Sequence, residues 1–199
     1  MKRKVILKYV VIAGALILIG QQTTLATPTA KMLAYPCAGC HGTNGASNGP
    51  AIPSLAGLSK PYLVESMESY KDGSRASTIM DRIAKGYSKK EFELMGDFFA
   101  KQKIHKISKQ KFNKASAKAG KKLHNKYCKK CHESGGTNPE DDAGQLLGNA
   151  RLYLEYTFAD LTDKSRSMDK KMTKKMKKML RKDPKASVKL IDYYSKGEK

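Results

Sequence analysis

The pentapeptide Cys37-Ala38-Gly39-Cys40-His41 returns 91 positions later as Cys128-Lys129-Lys130-Cys131-His132. No other feature constrains the chain as strongly. A Cys-x-x-Cys-His turn presents two thiols on one side of a helical turn and an imidazole immediately after them. Two thioether bonds to the vinyl edge of a porphyrin and one nitrogen to its iron use all three groups, which is the pattern of covalent haem c attachment. Other readings of paired cysteines fit less well. A thioredoxin-like redox pair expects a βαβ frame, and no alternating strand pattern is visible in the sequence. A four-cysteine zinc module places roughly 15–20 residues between its pairs, whereas 87 separate Cys40 from Cys128. Two local disulfides would leave both histidines unexplained.

The motif sits inside a longer internal repeat, the first thing to establish before a fold is assigned. Tyr62, Leu63 and Arg75 match Tyr153, Leu154 and Arg166 at the same offset, and Leu55-Ala56-Gly57 falls opposite Leu146-Leu147-Gly148. The expected architecture is all-α, with two tandem domains of one kind at 27–103 and 119–199. Residues 104–118, rich in Lys, Ser and Ala, are expected to be a solvated linker or a linker with a helical end. Three apolar faces with helical period support the all-α reading: Tyr62, Leu63, Met67 and Tyr70; Phe92, Leu94, Met95, Phe98 and Phe99; and Leu152, Leu154, Tyr156, Phe158 and Leu161. The segment from Gly42 to Gly57, with its Gly, Asn, Ser and Pro, reads as loop.

The N-terminus carries Lys2, Arg3, Lys4 and Lys8, then an apolar run from Tyr9 to Gly20 and small residues at Thr24-Leu25-Ala26. This is the pattern of a secretory signal peptide over 1–26. Its apolar run is shorter than the ~20 residues a membrane-crossing helix needs. A mature chain without a stable membrane span is therefore expected, and a bacterial periplasm suits it best. The formal charge of +21 falls to about +17 on removal of the four leader cations. A field of that sign speeds encounter with acidic partners and says little about fold.

A haem iron held by histidine on one face needs a second ligand, and a methionine thioether both closes the site and raises the potential. In the first half Met80, after the polar Ser77-Thr78 and before Ile83-Ala84-Lys85-Gly86, is the expected partner of His41. In the second half Met168, Met172, Met176 and Met179 compete to partner His132. The last three share the spacing of a helix face packed on a core. Met168 precedes that helix as Met80 precedes its own segment and is the preferred ligand. Met172 is the alternative, reached by counting forward from the matched arginines.

These residues resemble a known family. Cys-Ala-Gly-Cys-His-Gly-Thr at 37–43, Ser-Thr-Ile-Met-Asp-Arg-Ile-Ala-Lys-Gly-Tyr-Ser at 77–88 and Lys-Leu-His-Asn-Lys-Tyr-Cys-Lys-Lys-Cys-His-Glu-Ser-Gly-Gly at 122–136 are similar to the two-domain cytochrome c4 class, and within it to the dihaem subunits of flavocytochrome c sulfide dehydrogenases. The resemblance implies two tandem cytochrome c domains about a pseudo-twofold axis, with two covalently bound haem c groups, both His/Met ligated. It also implies a non-catalytic electron-transfer role. Electrons would come from a FAD-containing flavoprotein subunit that oxidises sulfide, and would leave to a small acceptor cytochrome c or another acidic redox partner. A free-standing dihaem shuttle to a terminal oxidase is the alternative. A dihaem peroxidase would need an open or displaceable sixth position on one iron, against which the candidate methionines of both halves stand.

The remaining features have ordinary explanations beside functional ones. The cationic stretch from Lys164 to Lys189 reads first as a solvated helix face and second as a docking surface for an acidic partner. Nucleic acid is not expected as a partner of an exported chain. His105 and His124 lie in polar, lysine-rich sequence and are expected at the surface. Tyr35, Tyr127, Tyr62 and Tyr153 are expected to pack beside haem or between the domains.

Overall fold

The computed structural model describes residues 27–137 and 143–197; the expected signal peptide lies outside the described residues. Among those residues the regular structure is helical. Helix α1 (Ala30–Ala34) runs through a 3-10 turn into α2 (Ala38–His41), followed by α3 (Lys60–Asp72), α4 (Met80–Lys85) and α5 (Lys89–Ala100). The second half contains α6 (Lys114–Tyr127), α7 (Arg151–Asp163), α8 (Lys170–Lys182) and α9 (Ala186–Tyr194). No helix is long and apolar enough to cross a membrane among the described residues.

Local chemistry sets the helix ends. Ser59 accepts the amide of Tyr62, with Pro61 in the first turn where its missing N–H is harmless. Gly73 then stops α3 in the left-handed region at φ 80°. Ser88 and Glu91 form a reciprocal capping box on α5, a device stabilising by about 1 kcal/mol. Asp169 caps α8 by accepting the amides of Lys171 and Met172.

Each half closes on its own core. Leu33, Leu58, Leu63, Met95, Phe98 and Phe99 form the first, joining α1 to α3 and α5. Leu154, Phe158, Met176, Met179, Leu190 and Tyr194 form the second, joining α7, α8 and α9. Burying one such side chain contributes about 1.5–3 kcal/mol. The expected face of α5 is the observed inner one, with Phe92, Met95, Phe98 and Phe99 buried and Leu94 half-buried, whereas on α3 only Leu63 is buried and Tyr62, Met67 and Tyr70 are half-buried. On α7 the buried set is Leu154, Phe158 and Leu161, while Tyr156 is 59% exposed. The reason is geometric: at 3.6 residues per turn Tyr156 lies on the far side from Leu154 and Phe158.

The repeat is written into the backbone hydrogen bonds. Arg75 N donates to Ser69 O at 3.0 Å and Arg166 N to Asp160 O at 3.1 Å; Gly57 N donates to Phe99 O at 2.9 Å and Gly148 N to Tyr194 O at 2.7 Å. The equivalence holds at an offset of 91 as far as Arg166, but Tyr194 answers Phe99 at an offset of 95. A net four extra residues therefore lie between Arg166 and Tyr194: α8 has 13 residues where α4 has 6, and α9 has 9 where α5 has 12.

Within 104–118, α6 begins at Lys114. Upstream of it the chain is tied down rather than loose. Ile107 is buried and its amide donates to Gly148 O at 2.7 Å. The segment crosses both halves at glycines with positive φ: a Cβ on Gly57 would come within 2.5 Å of Ile104, and one on Gly148 within 2.5 Å of Lys106.

Candidate haem attachment sites

In the first half the CxxCH residues are helical, the 3-10 turn Tyr35–Cys37 leading into α2. Cys37 packs against the first core, whereas Cys40 is exposed. His41 is buried and its Nδ1 lies 2.8 Å from the carbonyl oxygen of Pro53. A carbonyl can only accept, so Nδ1 carries the proton and Nε2 keeps a lone pair, the form an imidazole needs to ligate iron. Burial holds the His41 proton affinity below the ordinary histidine range, against the opposing pull of Pro53. The residues present thus fit haem c: two thiols on one turn and a neutral, oriented imidazole.

The second motif follows the end of α6. Cys128 packs against the second core, Cys131 is exposed, and His132 N donates to Cys128 O at 3.0 Å. His132 has left helical geometry, with φ −123° and ψ 71°. No disulfide joins any of the four cysteines. Burial raises the thiol pKa of both Cys37 and Cys128, the opposite of the depressed pKa that marks a redox-active or nucleophilic thiol.

The methionines occupy comparable places. Met80 opens α4 and is half-buried. Met168 precedes the capping residue of α8, and Met172 sits in its first turn; both pack against the second core. Met176 and Met179 are its buried members, as their spacing predicts.

His124, expected at the surface, is 1% exposed. Its Nδ1 lies 3.0 Å from the hydroxyl of Tyr194, its ring rests against Tyr193 and Tyr194 at 5.5 and 5.7 Å, and the same Tyr194 hydroxyl reaches Cys128. Lysine-rich surroundings concealed the position, but the repeat identifies it: 91 residues earlier stands Leu33, a core residue. His105 is half-buried, and its carbonyl accepts from Gln145 at 2.8 Å.

The halves meet around Arg75. Its guanidinium donates to Ser66 Oγ at 2.6 Å, to Tyr62 Oη at 3.4 Å and, across the contact, to Tyr153 Oη at 3.1 Å. Arg75 and Arg166 form a single antiparallel backbone bridge. Burial pushes the Tyr62 phenol up, but Arg75 and Arg166 outweigh it and bring it down to about 8. Tyr62 and Tyr153 therefore lie between the halves, as expected, while Tyr35 is 57% exposed with its ring edge-on to Phe98 at 6.0 Å.

Comparison with known proteins agrees with this geometry. The family profile described as "Cytochrome c" matches residues 27–109. The cytochrome subunit of sulfide dehydrogenase from Chlorobaculum tepidum is 45% identical over 69 residues, 35% of this chain and 62% of that protein. The matched segment thus spans less than two thirds of that relative. Cytochrome c-554(548) of Halomonas halodenitrificans is 33% identical over 69 residues, 33% of this chain and 83% of that protein. Reduced recombinant cytochrome c4 from Pseudomonas stutzeri has the same fold, with a TM-score of 0.70 at 24% identity over 85% of this chain and 97% of that one. The all-α fold is that of two tandem cytochrome c domains, and the chain belongs to the cytochrome c family.

Proposed function

We propose that this chain is a periplasmic dihaem electron carrier that accepts electrons from a FAD-containing sulfide dehydrogenase subunit and passes them to a small acceptor protein. The observation that carries the reading is the pair of CxxCH units within one repeated fold; a 69-residue stretch of the chain that is 45% identical to the cytochrome subunit of a sulfide dehydrogenase supports the proposed donor. Cys37 and Cys40, and Cys128 and Cys131, would hold haem c through thioethers, with His41 and His132 as proximal ligands. Bound haem c supplies a one-electron iron couple and makes no bond to sulfide. The protein units are read as 27–103 and 119–199, joined by 104–118 and preceded by the leader 1–26.

Met80 is the proposed sixth ligand of the first half. For the second half the register of the repeat supports Met172 over Met168. The offset between equivalent residues is 91 before α8 and 95 after it, so the counterpart of Met80 falls between 171 and 175. Met172 lies in that window, and Met168 lies before it.

Purification at low salt followed by addition of sulfide tests the reading. A flavin-bearing chain that co-elutes and reduces both haems on sulfide addition is the expected result. A lone dihaem protein that sulfide does not reduce would replace it with the free-standing shuttle. That second reading draws on the likeness to cytochrome c4 over 97% of that chain.

A further inference from the structure

Helix α8 carries eight Lys and Arg among 13 residues and no acid. Lys170–Lys174 and Lys174–Lys178 are like-charged neighbours at i, i+4, which destabilises a helix. Lys170 and Lys171 also stand at its N-terminus, where the helix dipole disfavours cations. Among the described residues none of the eight forms an ion pair with a carboxylate. Asp169, the adjoining acid, already accepts the amides of Lys171 and Met172. Folding alone gives no reason for this concentration, because the inner face is completed by Met176 and Met179.

Its place in the repeat is equally particular. Helix α8 is seven residues longer than its counterpart α4, and the net four-residue difference between the halves lies in the stretch from Arg166 to Tyr194 that contains it. Charge is divided in the same way: residues 27–103 have ten Lys and Arg against seven Asp and Glu, a balance of +3, and residues 119–199 have twenty against eleven, a balance of +9. The inner methionines of α8 pack into the same core as Cys128, and the exposed Lys129 and Lys130 lie within that CxxCH motif. The helix that carries the cationic face is thus seated on the core that also receives the second motif. Around the first motif the exposed side chains include the apolar Met32 at 60% and Tyr35 at 57%, with Lys31 as the one exposed cation among residues 30–44.

We infer that the outer face of α8, with Lys129 and Lys130, docks an acidic electron-transfer protein, so that electrons leave the chain through the second half. This rests on reading the chain as an electron carrier. An acidic protein fits better than an anionic lipid surface, because an interfacial helix needs a free apolar face to enter the headgroup layer, and the apolar face of α8 is buried in its own core. Complementary charge at such a rim raises the encounter rate and is screened by salt.

The test uses the full, haem-loaded chain, pre-reduced, with ferricyanide as an anionic oxidant, tris(1,10-phenanthroline)cobalt(III) as a cationic one, and poly-L-glutamate as an acidic polypeptide. The quadruple variant K174E/K175E/K177E/K178E is compared with an equal reversal on exposed α6 positions, K114E/K118E/K121E/K122E. At low ionic strength the α8 reversal should slow ferricyanide oxidation about tenfold or more, speed the cobalt reaction and weaken poly-L-glutamate binding about tenfold. The α6 reversal should change each by less than about threefold, and the differences should fade at high salt. Equal effects of the two reversals, or none, overturn the inference. Binding of the wild type to vesicles with 30% anionic phospholipid at ~150 mM salt, a level at which long-range attraction is largely screened, overturns it in favour of a membrane. If the reversal prevents folding, the K174Q/K175Q/K177Q/K178Q variant is read instead, with the same ordering. Sulfide reduction through a flavoprotein is scored separately: its failure removes the proposed donor and leaves the docking result standing.

Discussion

The two halves share one plan and spend their polar residues differently. In the first, Lys60 at the start of α3 pairs with Asp97 of α5 at 3.0 Å, with side chains 40% and 43% exposed. In the second, Arg151 at the start of α7 pairs with Asp192 of α9 at 2.7 Å, with side chains 28% and 6% exposed. Asp192 also accepts the amide of Asn113 at 3.3 Å, fixing the start of α6. Likewise Leu33 of the first core is answered by His124, which trades an aliphatic contact for a hydrogen bond to Tyr194. A repeated fold thus keeps its helix order and backbone ladder while the same positions change from solvent-screened or apolar to buried and polar. At these two positions the second half uses buried polar pairs where the first uses a solvent-screened pair and an aliphatic contact.

The largest expected effect tests whether each half carries its own cofactor. Replacing Cys128 and Cys131 with Ser should lower haem content from two to one per chain, and Cys37→Ser with Cys40→Ser should do the same, as read by pyridine haemochrome and mass. Within the second half, Met172→Ala should open one iron to carbon monoxide while Met168→Ala leaves it closed. The reverse outcome restores Met168 as ligand.

Next comes the ion pair. Asp192→Ala removes the buried partner of Arg151, which keeps Glu155 at 2.9 Å, and takes the acceptor from the Asn113 amide, and should cost about 2 kcal/mol; Asp97→Ala, at an exposed pair, should cost under about 1 kcal/mol. Denaturant unfolding of the two variants measures the gap, and equal costs would erase the distinction drawn between the halves. Burial raises the carboxyl pKa of Asp192, but hydrogen bonds from Ser116, Arg151 and the Asn113 amide outweigh it and hold the group below its usual range. The folded state then binds fewer protons than the unfolded one at acid pH. Its contribution is complete above about pH 4 and declines as pH falls further. The wild type should therefore lose more stability between pH 5 and 3 than Asp192→Asn does.

The smallest contrast exchanges the core residues. Leu33→His places an imidazole in a core whose buried rings are Phe98 and Phe99, neither of which offers a hydroxyl, and should cost about 2–3 kcal/mol. His124→Leu loses one hydrogen bond and gains apolar surface, and should change stability by about 1 kcal/mol or less. Thermal unfolding of both variants decides whether the imidazole belongs to the second half alone.

Much of this molecule was legible before any coordinates. The two CxxCH motifs announce their chemistry because thioether attachment and iron ligation need those residue types at that spacing. The offset of 91, the all-α class and the apolar stripes of α3 and α5 follow from local periodicity, which a chain cannot disguise. Three matters depended on tertiary contact. His124 looks exposed amid lysines, and only its seat against Tyr194 makes it a core residue. Arg151 and Asp192 are 41 positions apart, beyond the reach of any local pattern. The shift of offset from 91 to 95, which bears on Met172, emerges only when Gly148 is seen bonded to Tyr194 as Gly57 is to Phe99. Sequence records chemistry that is local to a turn or a helix face; which distant residues share one core is settled when the helices pack.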